Sequence, residues 1–384
     1  FYPVTPTHAF LRDHLGHERY AGTWGAMGVG ADTAARLRAL TGHTFVEARL
    51  GELVRQVPGT GGLYPTLVNF GATAQAAGSP VLDRLGTRYF VTAPQDQVFG
   101  VEQLSGADGS TAVLFPDQPL TVPLSGAGPL RAVGITPAEP VAGPARLDVT
   151  VRGQDGREVA RNARPGIGAQ PFLVPVAAEQ VGAGERLTVT LTLRAGRPLP
   201  VQGLGGLPAL RTIRGAGDGL RIAYAGSAVV YQRLTALPRL RWASDTVVEP
   251  DPGRRLARLA AGDLAPGQVL LDAPGPGAGG GPARLEVRTD GPDEIVVDVD
   301  AAGAGYLVVA DALQTGWAVT VDGAPASLVP ADHAVVTVAV PAGAHRVRLH
   351  YAAPHRGAGL AVTGVAAIAL LGLLAGQRWW TPRR

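Results

Sequence analysis

The feature that most restricts this chain is a run of 20 residues without a charge, Gly357 to Gly376, carrying Leu360, Val362, Val365, Ile368, Leu370, Leu371, Leu373 and Leu374. As a helix rising about 1.5 Å per residue it would reach roughly 30 Å, the hydrocarbon thickness of a bilayer. The spacing predicts a transmembrane helix over 357–377 and a cytoplasmic tail over 378–384. Trp379 and Trp380 would stand in an interfacial aromatic belt, and Arg378, Arg383 and Arg384 close the chain. Arg346, Arg348 and Arg356 precede the run, so local charge does not orient it. The bulk of the chain is placed outside the cytoplasm because a few residues lie on one side and everything else on the other. The run also holds five Gly and six Ala, with Gly372 and Gly376 four apart. Small residues let helix backbones approach closely in lipid. Other membrane helices are therefore expected as partners, along with the bilayer itself.

No comparable run occurs elsewhere, so the rest must fold in water, and it does so with 53 Gly and 32 Pro. Their positions decide what they mean. From about Val101 the apolar residues alternate: Ala145 to Arg152 does so, then Asp155-Gly156 turns the chain into Arg157-Glu-Val-Ala160, and Arg186 to Leu193 repeats the pattern. Period two with turn residues between is the signature of strands buried on one face. Past Pro274–Pro282, a Gly/Pro loop or linker, come further strands: Leu285–Arg288, Ile295–Val299, Tyr306–Val309, Trp317–Val321, Val335–Val340 and His345–Tyr351. Asp322-Gly323 is a two-residue hairpin signal. The first stretch is mixed: Thr5-Pro6 opens one helix, Asp32 caps another through Leu40, Ser79-Pro80 opens a third, and Arg88–Thr92 is a strand. The expected class is mainly β with a small N-terminal α/β part. Antiparallel β-sandwich modules are followed by one C-terminal transmembrane helix. The expected divisions are 1–97 (mixed α/β), 98–273 (a jelly-roll-like sandwich), 274–282 (loop or linker), 283–355 (a C-terminal β module), then helix and tail.

Composition excludes several chemistries. There is no cysteine, hence no thiol catalysis, disulfide or Cys-ligated zinc. A net charge of +3 over 384 residues gives no footprint for nucleic acid. Gly275-Pro-Gly-Ala-Gly-Gly280 fits G-x-G-x-x-G but lies in a Pro-punctuated loop entering a strand, not a strand-to-helix turn. Asp13, His14, His17 and Glu18 form the best metal-like cluster, yet Gly16 between the histidines ends the helix, and a solvated helix end is the better reading. His333, His345, His350 and His355 read as strand-face or interfacial residues. Asp298 and Asp300 share a strand face; a solvent-facing strand edge explains them better than a glycosidase pair. No catalytic, cofactor-binding or metal constellation emerges. Trp242, Tyr306 and Trp317 are candidate glycan contacts through ring stacking, although sparse aromatics in sandwiches more often fill cores.

Four stretches together resemble the C-terminal part of the YfhO-type bacterial membrane proteins. They are Thr5–Arg12, Ser79–Thr92, Val230-Tyr-Gln-Arg-Leu-Thr-Ala-Leu-Pro-Arg239, and Leu307–Tyr351. The last contains Val308-Val-Ala-Asp-Ala-Leu-Gln-Thr-Gly-Trp317, then Val319-Thr-Val-Asp-Gly323, then Val340-Pro-Ala-Gly-Ala-His345. The resemblance implies a glycosyltransferase-like protein of the GT-C kind, using a polyprenyl-phosphate sugar and an envelope acceptor outside the bacterial cell membrane. Its acidic catalytic residues would lie between early membrane helices, which residues 1–384 do not contain, so none is carried onto this chain. Phe1 as first residue and Met27 as sole methionine fit a fragment or processed chain. The expected role is acceptor binding or scaffolding. The alternative is a single-anchor cell-surface β-sandwich protein that binds glycans or proteins, and a third is a secreted-side hydrolase. All 34 basic residues are arginine, and with Ala, Gly and Pro so frequent this points to a GC-rich bacterial genome.

Overall fold

The computed structural model describes residues 4–380 except 24, 28–29, 44–45, 61–66, 125, 127, 142, 169, 179–180 and 182–184; of 376–380 only the helical backbone is described. The expected aromatic belt and arginine tail therefore lie outside the described residues. Within them the chain is mainly β, with several antiparallel sheets and one C-terminal apolar helix.

The central sandwich is built from alternating strands. One sheet runs Glu158–Pro165, Ala145–Arg152, Thr188–Ala195, Pro119–Pro123; the other runs Phe172–Ala178, Leu130–Ile135, Arg211–Arg214, Val101–Leu104. Inward residues of both sheets, among them Leu147, Val149, Val151, Val174, Leu191 and Leu193, meet in one apolar core. Every second residue of Ala145–Arg152 is buried, as the period-two reading requires.

The N-terminal unit has a four-stranded sheet ordered Arg19–Gly22, Thr87–Thr92, Val229–Arg233, Leu220–Ala225, with the first pair parallel. Helix Pro6–His14 begins after Thr5, whose backbone N–H donates to His8 Nδ1 at 3.1 Å. The helix expected from Asp32 to Leu40 is shorter, Ala31–Ala35. Arg36 adopts φ +55°, which ends the helix, and the following residues pair instead with the Arg19–Gly22 strand: Tyr20 N–H donates to the Arg38 carbonyl and Leu40 N–H to that of Tyr20. Tertiary pairing here overrides a plausible local helix.

The C-terminal module stacks two sheets. A six-stranded sheet runs Leu240–Ala243, Gly305–Ala312, Val335–Val340, Leu328–Ala331, Gln268–Leu271, Asp245–Val248. A five-stranded antiparallel sheet runs Ala283–Asp290, Glu294–Ala301, Gly343–Tyr351, Trp317–Val321, Ala324–Ala326. Leu307, Val309, Val336 and Val338 on one face of the former meet Val297, Val299, Val347 and Leu349 of the latter. Its other face, with Tyr306, Val308, Val269 and Val335, shares a core with Leu53, Val81, Leu82 and Phe90 of the N-terminal unit. Covered on both faces, Gly305–Ala310 is continuously buried rather than alternating. Asp322 and Gly323, at φ +52° and +83°, close the hairpin between Trp317–Val321 and Ala324–Ala326.

Strand pairing divides the chain differently from the expected boundaries. Only Val101–Arg214 supplies the sandwich sheets; Leu220–Arg233 returns to the N-terminal sheet, and Leu240–Leu271 builds the six-stranded sheet. Linear reading joins segments that the sheets separate, because antiparallel pairing recruits strands distant in sequence. The Gly/Pro loop is stitched down, with Gly279 N–H donating to the Ala304 carbonyl, and it lies within the C-terminal module.

Helix Arg356–Trp380 follows Gly343–Tyr351 after a short link. Its segment Arg356–Ala375 is long and apolar enough to cross a bilayer and is covered by nothing else in the described residues; Leu360, Val365 and Ile368 are among its exposed side chains.

Candidate functional site

The N-terminal unit and the C-terminal module meet along a seam of arginine–carboxylate contacts. At its centre Arg239, 1% exposed, stands just before strand Leu240–Ala243. Gly86, at φ +64°, ends the turn after helix Pro80–Arg84; a Cβ there would lie 2.7 Å from Arg239 Cα, so only glycine permits this approach. The Arg239 guanidinium reaches Asp290 with Nη2 and Asp311 with Nη1, and Nε donates to the His17 carbonyl at 2.7 Å. Its backbone N–H donates to Glu18 at 2.8 Å. Arg19 also contacts Asp311, the Asp290 carboxylate accepts from His17 Nδ1 at 2.7 Å, and Arg38 Nη2 lies 2.9 Å from that carboxylate while donating to the Asp290 carbonyl at 2.7 Å. Burial by itself would raise the Asp290 carboxyl, but Arg239, with His17 and Arg38, outweighs it and holds the group below the usual range. Burial likewise works against the charged form of Arg239, yet Asp311 and Asp290 raise its pKa. Arg239 and Asp290 thus each favour the charged form of the other.

Beside it opens a cleft of about 580 Å³, lined by Arg19, Arg38, Arg239, Asp290 and Asp311 together with Asp32, Arg36 and Trp317. Trp317 is half-buried and tilted against Tyr351, ring centroids 5.4 Å apart. Gly316 before it has φ +113°, and a Cβ would come within 2.5 Å of the Ala352 carbonyl oxygen, so the turn requires glycine. Trp317 is the register partner of Tyr351, five residues before Arg356. At no more than about 3.5 Å per residue plus one cross-strand step of about 5 Å, the cleft wall stands within roughly 23 Å of the apolar helix.

Of the three candidate aromatic contacts, the structure brings only Trp317 to this cleft. Trp242 is half-buried elsewhere in the module, its Nε1 donating to the Gly281 carbonyl. Tyr306 is completely buried and its hydroxyl donates to the Pro276 carbonyl, so its ring has no face for a ligand and that expectation is withdrawn.

The expected metal-like cluster is dispersed. His14 binds the Phe10 carbonyl, His17 faces Asp290, and Glu18 accepts from Arg239. Asp298 is held by Arg346 and Arg288, which keep its carboxyl well below the ordinary range. Its strand is second in the sheet, so the solvent-facing position is on a sheet face rather than at an edge. His333 is buried against Glu52, and His345 pairs with Asp322.

Sequence reasoning named Asp32 only as a helix cap and did not single out Arg19, Arg36, Arg38 or Asp290. A signal was present for Arg239 and Asp311: each is a charge set against apolar strand residues, and such a charge needs a buried partner. Both lie in the stretches that carry the family resemblance.

No family model matches the chain, and no curated protein matches it. Among solved structures it is similar to the arabinofuranosyltransferase AftD from mycobacteria. A mutant of that protein aligns at 12% identity with TM-score 0.21, over 77% of this chain and 29% of the other. A second AftD structure aligns at 13% identity with TM-score 0.21, over 86% and 26%. An infectious bursal disease virus structure aligns at 14% identity and TM-score 0.14, over 45% and 42%. The chain spans less than a third of the AftD chains it matches. Likeness this slight establishes no shared activity.

Proposed function

We propose that this chain is the extracytoplasmic, membrane-anchored region of a glycosyltransferase-like bacterial envelope protein of the YfhO type. In this reading it binds or positions a glycan acceptor and does not itself transfer sugar. The observation that carries it is convergence: three of the four resembling stretches supply the cleft or its lattice. Val230–Arg239 gives Arg239, Leu307–Tyr351 gives Asp311 and Trp317, and Gly86 of Ser79–Thr92 admits Arg239. The cleft also stands close to a helix fit to enter the bilayer, where an acceptor would be met. The helix's uncovered surface and its small residues fit contact with lipid and with further membrane helices of a longer protein, in which a polyprenyl-phosphate donor would be handled.

The absence of cysteine makes topology directly testable. Single Leu104→Cys and Arg288→Cys variants of the full chain in intact cells should react with a membrane-impermeant maleimide, and Arg383→Cys only after lysis. The reverse pattern sinks the extracytoplasmic placement. Glycosyl transfer by the purified chain would sink the non-catalytic role. The single-anchor surface protein remains the second reading, favoured by one candidate span among the described residues; a chain active in binding without any partner membrane helices would support it.

A further inference from the structure

We propose that the cleft at the seam is a subsite for an uncharged saccharide, with Trp317 as its stacking wall and Asp32 and Arg36 as its free polar contacts. This deepens the acceptor-binding reading and rests on it for the source of the ligand. Arg19, Arg38 and Arg239 are committed to Asp290 and Asp311. Asp32 and Arg36, at the same cleft, make no side-chain hydrogen bond or ion pair with any described residue. An anion entering here would meet the carboxylates of Asp32, Asp290 and Asp311, and a cation would meet four guanidiniums. A neutral polyol meets both kinds of partner without that conflict. Its hydroxyls can donate to a carboxylate and accept from a guanidinium, which only donates. The C–H face of a sugar ring suits an indole wall, since the ring's π face carries negative charge.

Size and rigidity agree. A cleft of about 580 Å³ lies in the range of small-ligand sites. Its floor is preorganised, because Arg239 and Asp290 are 1% and 5% exposed, counting the whole residue for the first and the side chain for the second, and are locked by mutual contacts. Asp32 lies in the first turn of the short helix Ala31–Ala35 and Arg36 caps its end, held at φ +55° with Leu37 N–H donating to the Asp32 carbonyl. Polar contacts are thus placed by backbone geometry rather than by a partner side chain.

The test uses the full chain in lipid nanodiscs, with maltotriose, mannotriose and xylotriose as neutral probes and glucose 1-phosphate as the anionic one. Binding is read by saturation-transfer NMR and calorimetry. At least one neutral trisaccharide should bind, and glucose 1-phosphate should not compete. Asp32→Asn and Trp317→Ala should each weaken binding about tenfold, the scale of one lost charge-assisted hydrogen bond or stacking face. Trp317→Phe, which keeps an aromatic wall, should retain most of the affinity, and Trp242→Ala should leave it unchanged. Asp32 makes no side-chain hydrogen bond or ion pair with any described residue and acts on His8 and Tyr20 through its charge, so the near-isosteric Asp32→Asn is read beside its thermal midpoint, which should stay unchanged. Preference for glucose 1-phosphate, binding by none of the probes, or indifference to both Asp32→Asn and Trp317→Ala would overturn the proposal. Such a failure alongside external maleimide labelling would remove the cleft assignment and leave the anchored placement intact.

Discussion

In the central sandwich, Val149, Val151, Leu191 and Leu193 face one another across two sheets, and the core they form is apolar throughout. The seam between the N-terminal unit and the C-terminal module adds to its apolar contacts a set of buried charges. At one end is the Arg239 lattice; at the other, Asp332 is fully buried, receives Nε and Nη2 of Arg84 at 3.0 Å each, and also binds Arg241 and the Leu270 N–H. A third pair, Arg131 with Asp218 at 2.8 and 2.9 Å, ties the sandwich to the N-terminal unit. Apolar burial is non-directional and tolerates sliding, whereas a forked guanidinium on a carboxylate fixes orientation. The comparison teaches that each module coheres by its apolar core, while the charges set how the modules sit together and thereby shape the cleft.

The sharpest way to break this contrast is Asp332→Ala. Among the described residues Arg241 Nε and Nη1 already lack partners, so removing Asp332 strands the buried Arg241 guanidinium and leaves Arg84 only the Ala265 and Gln268 carbonyls. Loss of one member of a buried ion pair costs about 3–5 kcal/mol. Amide exchange of the full chain should show the Gln268–Leu271 and Leu328–Ala331 strands losing protection while Ala145–Arg152 keeps its own. The triple variant Asp332→Leu, Arg84→Met, Arg241→Met should recover much of the loss, since apolar replacement of a whole buried ion cluster is often neutral. Uniform loss of protection across both regions would mean the seam is not a separate energetic unit.

Leu191→Ala, the matching cut in the sandwich, is expected to cost about 2–5 kcal/mol, as deletion of a buried Leu side chain does. Its loss should appear in Thr188–Ala195 and Ala145–Arg152 and should leave the seam strands protected. The two substitutions differ in size less than in where and when they act.

Acid separates them further. Arg84 and Arg241 outweigh the effect of burial and keep the Asp332 pKa below its ordinary value, and Asp290 and Asp218 are lowered by their arginines in the same way. For a carboxyl whose folded pKa is depressed, the stabilisation is complete above the unfolded value, near 3.9, and is lost as pH falls through the folded one. Exchange protection at the seam should therefore fall away below about pH 4, ahead of the sandwich, whose core holds no buried carboxylate among the described residues. Simultaneous acid loss in both regions would erase the distinction.

This contrast also explains what the sequence revealed. The period of Ala145–Arg152 and the Asp322-Gly323 turn are local, and both stand where the pattern puts them. Arg239 and Asp311 are charges set against apolar strand residues, but they stand 72 residues apart in the chain and meet only when strands Leu240–Ala243 and Gly305–Ala312 pair. Asp332 gave still less, sitting with His333 in a left-handed turn between two strands, a place where exposed polar residues are usual. Strand composition predicts what lies within a module. The joint between modules is set by pairs that no local period encodes, and the cleft belongs to the joint.

The smallest effect is expected where a charge contact lies outside the seam. Asp298 is bound by Arg346 at 2.7 and 3.0 Å and by Arg288 at 2.7 Å, a geometry as good on paper as that of Asp332. Yet Arg346 and Arg288 are exposed, so water competes for every partner and holding the long side chains in place costs entropy. Arg346→Ala should leave the thermal midpoint unchanged within error and should not alter exchange at either the sandwich or the seam. A clear drop in the midpoint would show that burial is not what distinguishes the Asp332 cluster, and the contrast between the two regions would have to be rebuilt on hydrogen-bond geometry alone.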